Sequence, residues 1–205
     1  MRKLATTMGV DLIEATEALY SAISAGVPPD NAVSFLGEAS KTAIAGVANL
    51  QDSVAVLTTV MDNYKLSTES AGKVSDVLFT IVKNGKTTLP ELAANIGKVT
   101  PLAAALGVSF EEVGGMFATL TKALGDGKTA EAGTQIKAML AELGKETGVA
   151  AKNFERIANV SFTDFIAKGG SVSEVLKYLS DDAKKNGKQM IDYFGSIEAG
   201  QGAIA

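Results

Sequence analysis

The chain has no cysteine, no histidine and no tryptophan among its 205 residues. Without cysteine there can be no disulfide, no thiolate metal site and no thiol nucleophile. Without histidine the commonest general base and the commonest metal ligand are both missing. Any catalysis would have to run on Asp, Glu, Lys, Ser, Thr or Tyr. Long apolar runs are lacking too. The longest charge-free stretches, such as "ALYSAISAGVPP" and "VTPLAAALGVSF", reach 12 residues, whereas a membrane-spanning helix needs ~20. In "MRKLATTMGVDLIEA" the carboxylates Asp11 and Glu14 break the apolar run too early for a signal peptide. Nineteen basic and 23 acidic side chains leave a net charge of −4. That balance offers neither a basic footprint for nucleic acid nor a polybasic stretch for an anionic membrane.

What is present is helical pattern from end to end. In "DLIEATEALYSAISAG", Leu12, Ala15, Leu19, Ala22 and Ile23 recur at three and four and predict one apolar face, capped by Asp11 and ended by Gly26. "PPDNAVSFLGEASKTAIAG" follows with proline in its first turn. Asn49 caps a stripe of Leu50, Val54, Leu57, Val60, Met61 and Tyr64. "VSDVLFTIV" is β-branched, but Val74, Val77, Leu78 and Ile81 keep helical spacing. Thr88 with Glu91, Ser109 with Glu112 and Ser171 with Glu174 are spaced as capping boxes. Thr100-Pro101 restarts a helix after a break, and "TAEAGTQIKAMLAELGKE" places Ile136, Met139, Leu140 and Leu143 on one side. The expectation is at least eight helices and no sheet.

The chain also repeats itself. A slide of 42 sets Ser67 on Ser109, Glu69 on Glu111, Gly72 on Gly114, and Gly85-Lys86-Thr87 on Gly127-Lys128-Thr129. The same slide matches Leu50 with Leu92, Val54 with Ile96 and Leu57 with Val99. A slide of 39 sets Asp30 on Glu69 and Gly46 on Gly85, more weakly. This predicts an all-α fold of stacked helical hairpins, a pseudo-repeat of about 40 residues in a multi-helix orthogonal or solenoid-like bundle. Residues 1–146 read as the hairpin core and 147–205 as a C-terminal helical extension of the same domain, expected to be truncated. By the same reading the middle, from about Leu50 to Leu143, is the best protected part. The ends, before Asp11 and after about Lys184, are expected to be loosely held, with "GQGAIA" uncovered.

"LGDGKTAEAGTQ", residues 124–135, invites a phosphate-loop reading. That loop needs G-x-x-x-x-G-K-[ST] after a strand. Gly127-Lys128-Thr129 supplies only the tail, because the first glycine's place holds Lys122. The twin at Asn84-Gly85-Lys86-Thr87 has Thr80 there. The plainer reading is a helix junction. Glycine takes the left-handed closing conformation, lysine faces the last carbonyls and threonine caps the next helix.

The acidic clusters Glu111-Glu112, Asp181-Asp182 and Glu14/Glu17 are the remaining candidates for chemistry. A glycosidase holds two carboxylates across a cleft, whereas neighbours on one helix diverge. Glu111 and Glu112 suit a first helical turn, where negative charge is favoured. Gly37, Gly72, Gly114 and Gly115 fall inside expected helices, where close helix–helix approach explains them better than bending. The aromatics (Phe35, Phe79, Phe117, Phe154, Phe162, Phe165, Tyr178) follow the apolar faces and read as core. No catalytic, cofactor-binding or metal residue is assigned, no cofactor is expected, and the chain does not read as an enzyme.

Several stretches resemble phage tail tape-measure proteins in their minor-tail region. They are "DLIEATEALYSAISAGVPPDNAVSFLGEASKTAIAG", the run from "LTTVMDNY" to "GGMFATLTK", "AGTQIKAMLAEL", "SFTDFIAKGGSVSEVLKYL" and "YFGSIEAGQGAIA". The resemblance covers essentially the whole chain, most specifically Leu57 to Leu143, and contains no catalytic motif. It implies a structural component of a phage or prophage tail, part of the protein that determines tail length and takes part in tail assembly and DNA delivery. It further implies tail tube, tail assembly chaperone and tail-tip partners, self-association in the tail, and residence in the virion tail after assembly in the host bacterial cytoplasm. No sequence-specific nucleic acid and no stable membrane span are expected. Because the family's members are long, the segment is expected to be an excerpt, a split reading frame or a prophage remnant. The alternative left open by the hairpin pattern is a cellular α-helical repeat module that binds protein without catalysis.

Overall fold

The computed structural model describes residues 5–6, 9 and 11–204; the reading for the first ten positions therefore lies mostly outside the described residues. Among the described residues there are twelve α-helices and no strand. The first hairpin is α1 (Leu12–Ser24) and α2 (Pro29–Ala45). The second is α3 (Leu50–Asn63) and α4 (Ala71–Asn84), joined through a 3₁₀ turn at Thr68–Ser70. The third opens with a broken helix, α5 (Leu89–Asn95), a 3₁₀ turn at Ile96–Lys98 and α6 (Thr100–Ala105), and closes with α7 (Phe110–Leu124). After these come α8 (Thr129–Gly144), α9 (Val149–Ala158), α10 (Phe162–Ala167), α11 (Val172–Lys185), a 3₁₀ turn at Met190–Tyr193 and α12 (Ile197–Ile204).

The hairpins stack in chain order, as the repeat predicts. The second helices form a line, with α4 packed on α2 and α7 on α4. The first helices form another, with α1 on α3 and α3 on α5. Between α2 and α3 the chain turns by 117°. The 42-residue slide lays α3 over the broken α5–α6 segment, where Pro101 stands in the place of Thr59. Proline has no N–H for the helical ladder, so a helix that is continuous in one unit is interrupted in the next. One hydrophobic cluster runs from Ala18 to Ala199.

Local capping follows the sequence closely. Asp11 accepts the Glu14 N–H at 2.8 Å and Asn49 accepts the Asp52 N–H at 2.7 Å. Thr88 with Glu91 and Ser171 with Glu174 close as reciprocal boxes. Ser109 accepts the Glu112 N–H, but the Glu112 carboxylate does not return to Ser109. It accepts the Val172 N–H at 2.7 Å instead and ties α7 to the start of α11.

Two expectations are corrected. Leu12 and Ile23 do not face the core. The face that α1 buries is Ala15, Ala18 and Ala22, while Leu12 and Ile23 stay 43% and 40% exposed. Small side chains let α1 lie close to its neighbours; Leu19 packs against the core as expected, while Leu12 and Ile23 are turned out. The C-terminal segment is not loose either. α12 packs along α8, Ala199 is fully buried and Gly202 sits against the Gln135 carbonyl. Phe194 and Tyr193 are also buried. Of the helix-interior glycines, Gly114 marks close approach, since a Cβ there would lie 2.9 Å from Val77 Cγ1. Gly115 faces open space and Gly72 meets only Glu38, at 3.9 Å.

Asp182 locks the extension together. Its Oδ2 accepts from Arg156 Nη2 and from the Tyr193 hydroxyl, each at 2.7 Å, so α9, α11 and the 3₁₀ turn converge on one oxygen. The Arg156 bond, and then the Tyr193 bond, hold the Asp182 carboxyl below its ordinary range. Burial, and then the bond to Asp182, push the Tyr193 phenol upward.

Two outcomes follow for stability. Gly202→Ala would put a methyl 2.8 Å from a backbone oxygen and is expected to cost about 1–3 kcal/mol. Gly115→Ala, into open helical surface, is expected to gain up to ~1 kcal/mol; urea unfolding checks both. A carboxyl with its folded pKa depressed stabilises above its unfolded pKa and loses that contribution as pH falls through the folded value. The melting temperature is therefore expected to fall with acidification below about pH 4, with a shallower acid limb in Asp182→Asn than in the parent protein. Equal acid limbs would remove Asp182 from the account.

Candidate functional site

The two Gly-Lys-Thr stretches meet. Thr87 Oγ1 and Thr129 Oγ1 are 2.7 Å apart, and Glu91 Oε2 accepts from both, at 3.2 and 2.8 Å. The Lys86 N–H donates to Thr121 Oγ1 at 3.2 Å. The junction is thus a hydroxyl clasp around one carboxylate. A carboxylate at its centre repels phosphate. The glycine that closes α7 is Gly125, φ +100°, whose N–H donates to the Thr121 carbonyl at 2.9 Å; Gly127, φ +71°, lies in the turn just before α8 and does not close the helix. Gly85 does not take that conformation: its φ is −99°, and a Cβ there would meet Thr121 Oγ1 and the Ile81 carbonyl. Thr129 is not a cap, since it is the first residue of α8, 1% exposed, with its hydroxyl in the clasp. Lys128 pairs with Glu131 at 3.1 Å on the surface.

The acidic pairs separate in the same way. Glu112 serves Val172, Asp182 serves Arg156 and Tyr193, and Glu14 accepts the Leu50 N–H at 3.4 Å. No group of three or more carboxylates that could hold a metal occurs among the described residues. Tyr64 carries the largest perturbation: burial, with the nearby Glu111 and Glu112 charges, lifts its phenol well above the usual range.

Two hollows lie at element junctions. One of about 330 Å³ opens between α7, α8, α11 and α12, walled by Met116, Leu120, Met139 and Leu176. The committed Glu112 is its single titratable lining residue. The other, about 580 Å³, lies where the first two hairpins join, between the α1–α2 turn and Asp62, Lys65 and Glu69. The first brings no nucleophile against a base; in the second the Ser67 hydroxyl donates to the Glu69 carboxylate, on the exposed surface. The surface feature without a structural task is α1. Ile13 and Tyr20 are 72% and 75% exposed, two turns apart on one face, with Leu12 and Ile23 beside them. Sequence periodicity missed this surface because it assigned the large apolar residues inward.

The chain's relatives define its class. It matches the family of phage-related minor tail proteins over residues 1–196. The chain belongs to that family, whose role is structural, in the phage tail. It is 35% identical, over 213 aligned positions, to the probable tape measure protein of Clostridium phage phiCD119. The alignment covers 99% of this chain and 22% of that relative, so the chain spans about a fifth of the relative's length. No solved structure matches it. A cellular helical-repeat module is not favoured by these matches.

The junction reading predicts three effects, measured by chemical denaturation. Thr129→Val, which removes a buried hydroxyl from the clasp, is expected to cost about 1–2 kcal/mol. Gly127→Ala should cost about 1–2 kcal/mol because φ is positive there, while Lys128→Ala should stay within about 0.5 kcal/mol. A melting temperature raised by ATP with magnesium, and not raised in Lys128→Ala, would restore the phosphate-loop reading.

Proposed function

We propose that these residues form a folded structural module of a tail tape-measure protein, and that they do no chemistry of their own. The observation that supports this reading is the alignment of essentially the entire chain with a probable tape measure protein. Within the tail the module works beside the tail tube, the tail assembly chaperone and the tail-tip proteins, and associates with further copies. It takes part in setting tail length and in DNA delivery, and is assembled in the bacterial cytoplasm. Residues 147–205 belong to the same domain as residues 1–146.

Its contribution to length is not that of an extended rod. At ~1.5 Å per residue, 205 residues in one helix would reach about 300 Å. The longest helix among the described residues, α2, has 17 residues, so by the same rise it spans only about 25 Å. The module therefore acts by what it docks to.

In-frame deletion of residues 11–204 from the phage reading frame that carries them is the test. The expected result, seen by electron microscopy of lysates, is failure to make complete tails. Normal tails in the deletion would remove the proposal. Complete tails shortened by about 300 Å, the full helical length, would assign this segment to the ruler shaft instead.

A further inference from the structure

The outer face of α1 breaks the usual order of a surface helix, which turns its large apolar side chains inward. Here three alanines are fully buried, and Leu12, Ile13, Tyr20 and Ile23 stand 40–75% exposed. The next helix adds Val33 and Ile44, 50% and 66% exposed and eleven residues apart on one face of α2. More than half of the large apolar residues exposed in the described chain fall between residues 12 and 47. On α1 the four lie on one helix face, and an exposed apolar face of this kind marks an interaction surface.

Its charge is one-sided. From Asp11 to Ser40 there are five carboxylates (Asp11, Glu14, Glu17, Asp30 and Glu38) and no lysine or arginine; Lys41, next in the chain, pairs with Glu38 at 2.7 Å, which leaves four carboxylates without a basic partner on these two helices. The 580 Å³ hollow begins where α1 ends and brings in Asp62 and Glu69. Asp62 is paired with Lys65 at 3.1 Å, on the surface. Glu69 is held in its charged form by a hydrogen bond from Ser67.

We propose that this face is a docking surface for an amphipathic α-helix with a basic polar flank, supplied by a partner protein. An apolar strip rimmed by carboxylates complements an apolar stripe edged with lysine or arginine. Two other occupants fit less well. A membrane surface carries anionic headgroups, which the carboxylates repel. A second copy of this chain offers lysines at α11, namely Lys177, Lys184 and Lys185. There, however, the apolar residues Val172, Val175 and Leu179 are already buried. On that helix Tyr178, 45% exposed, is the one large apolar residue left free beside the lysines, which is less than a stripe.

The test titrates the 205-residue protein into a labelled 18-residue leucine/lysine amphipathic peptide, followed by fluorescence anisotropy. A leucine/glutamate peptide of the same pattern runs in parallel. Saturable 1:1 binding of the lysine peptide is expected, weakening as salt rises, with no binding of the glutamate peptide. The double variant Ile13→Ser/Tyr20→Ser is expected to lower the affinity at least tenfold while its circular dichroism and melting curve stay those of the parent. Glu14→Gln/Glu17→Gln should lower it severalfold. Ile197→Ser, at an exposed isoleucine far along the chain, should leave it unchanged. Equal binding of the two peptides, or an equal loss in Ile197→Ser, would overturn the proposal. So would self-association, or binding to vesicles containing phosphatidylglycerol, that is abolished in the Ile13→Ser/Tyr20→Ser variant.

Discussion

The interior depends on threonine hydroxyls that satisfy themselves within their own helices. Thr42, Thr58, Thr100 and Thr121 are all buried, and each donates to the carbonyl four residues earlier. A buried hydroxyl without a partner costs more than its hydrogen bond contributes. Turned back on its own helix, it presents a compact, mostly apolar surface to the neighbour. This lets α3 be packed by α1, α2, α4 and α5 although its sequence, "LQDSVAVLTTVMDN", is far from uniformly apolar. Among the described residues the buried polar side chains are hydroxyls and one amide; no charged side chain is buried. The same economy explains the small residues at helix crossings, alanine on α1 and glycine at Gly114 and Gly202.

Links between units reuse the same chemistry. Asn31 donates to Thr68 at 2.7 Å and Asn63 donates to Thr100 at 2.7 Å. Thr42 meets Ser75, and Thr87 meets Thr129. Each joins one hairpin to a later element by short, uncharged groups that need no ion pair to be desolvated. Carboxylates also link units, but as acceptors for hydroxyl or backbone N–H groups, as Glu91, Glu112 and Glu14 do, while Asp182 gathers the C-terminal extension. The four ion pairs among the described residues are all at least partly solvent-exposed, where each adds little.

Helix starts were legible in the sequence because a cap is a local bond, from residue i to i+3, and its partners are fixed by spacing alone. Asp11, Asn49, Thr88 and Ser171 close as the spacing requires. Glu112 departs because a second helix start, that of α11, competes for the same carboxylate, and nothing local announces it. The inward face of α1 was misread for a related reason. Periodicity finds two faces of intermediate polarity, and the choice between them is made by how closely α3 approaches. The hairpin order was readable from the 42-residue slide, but not that the two Gly-Lys-Thr segments would touch. That the phosphate-loop pattern is broken was readable from Lys122 and Thr80; the exposed apolar face did not follow from anything along the chain.

The stacking of neighbours in chain order also decides how the molecule responds to force. Packing in the first three hairpins joins elements close in sequence, so tension at the N-terminal side meets one helix pair at a time. α1 is held largely by alanine contacts to α2 and α3, and its departure uncovers α3 while the later hairpins stay packed. At the other end α12 lies on α8, some 60 residues earlier, and closes a loop that must be broken as a whole. The fold is thus mechanically polar: it yields in small steps from one side and resists in one large step from the other.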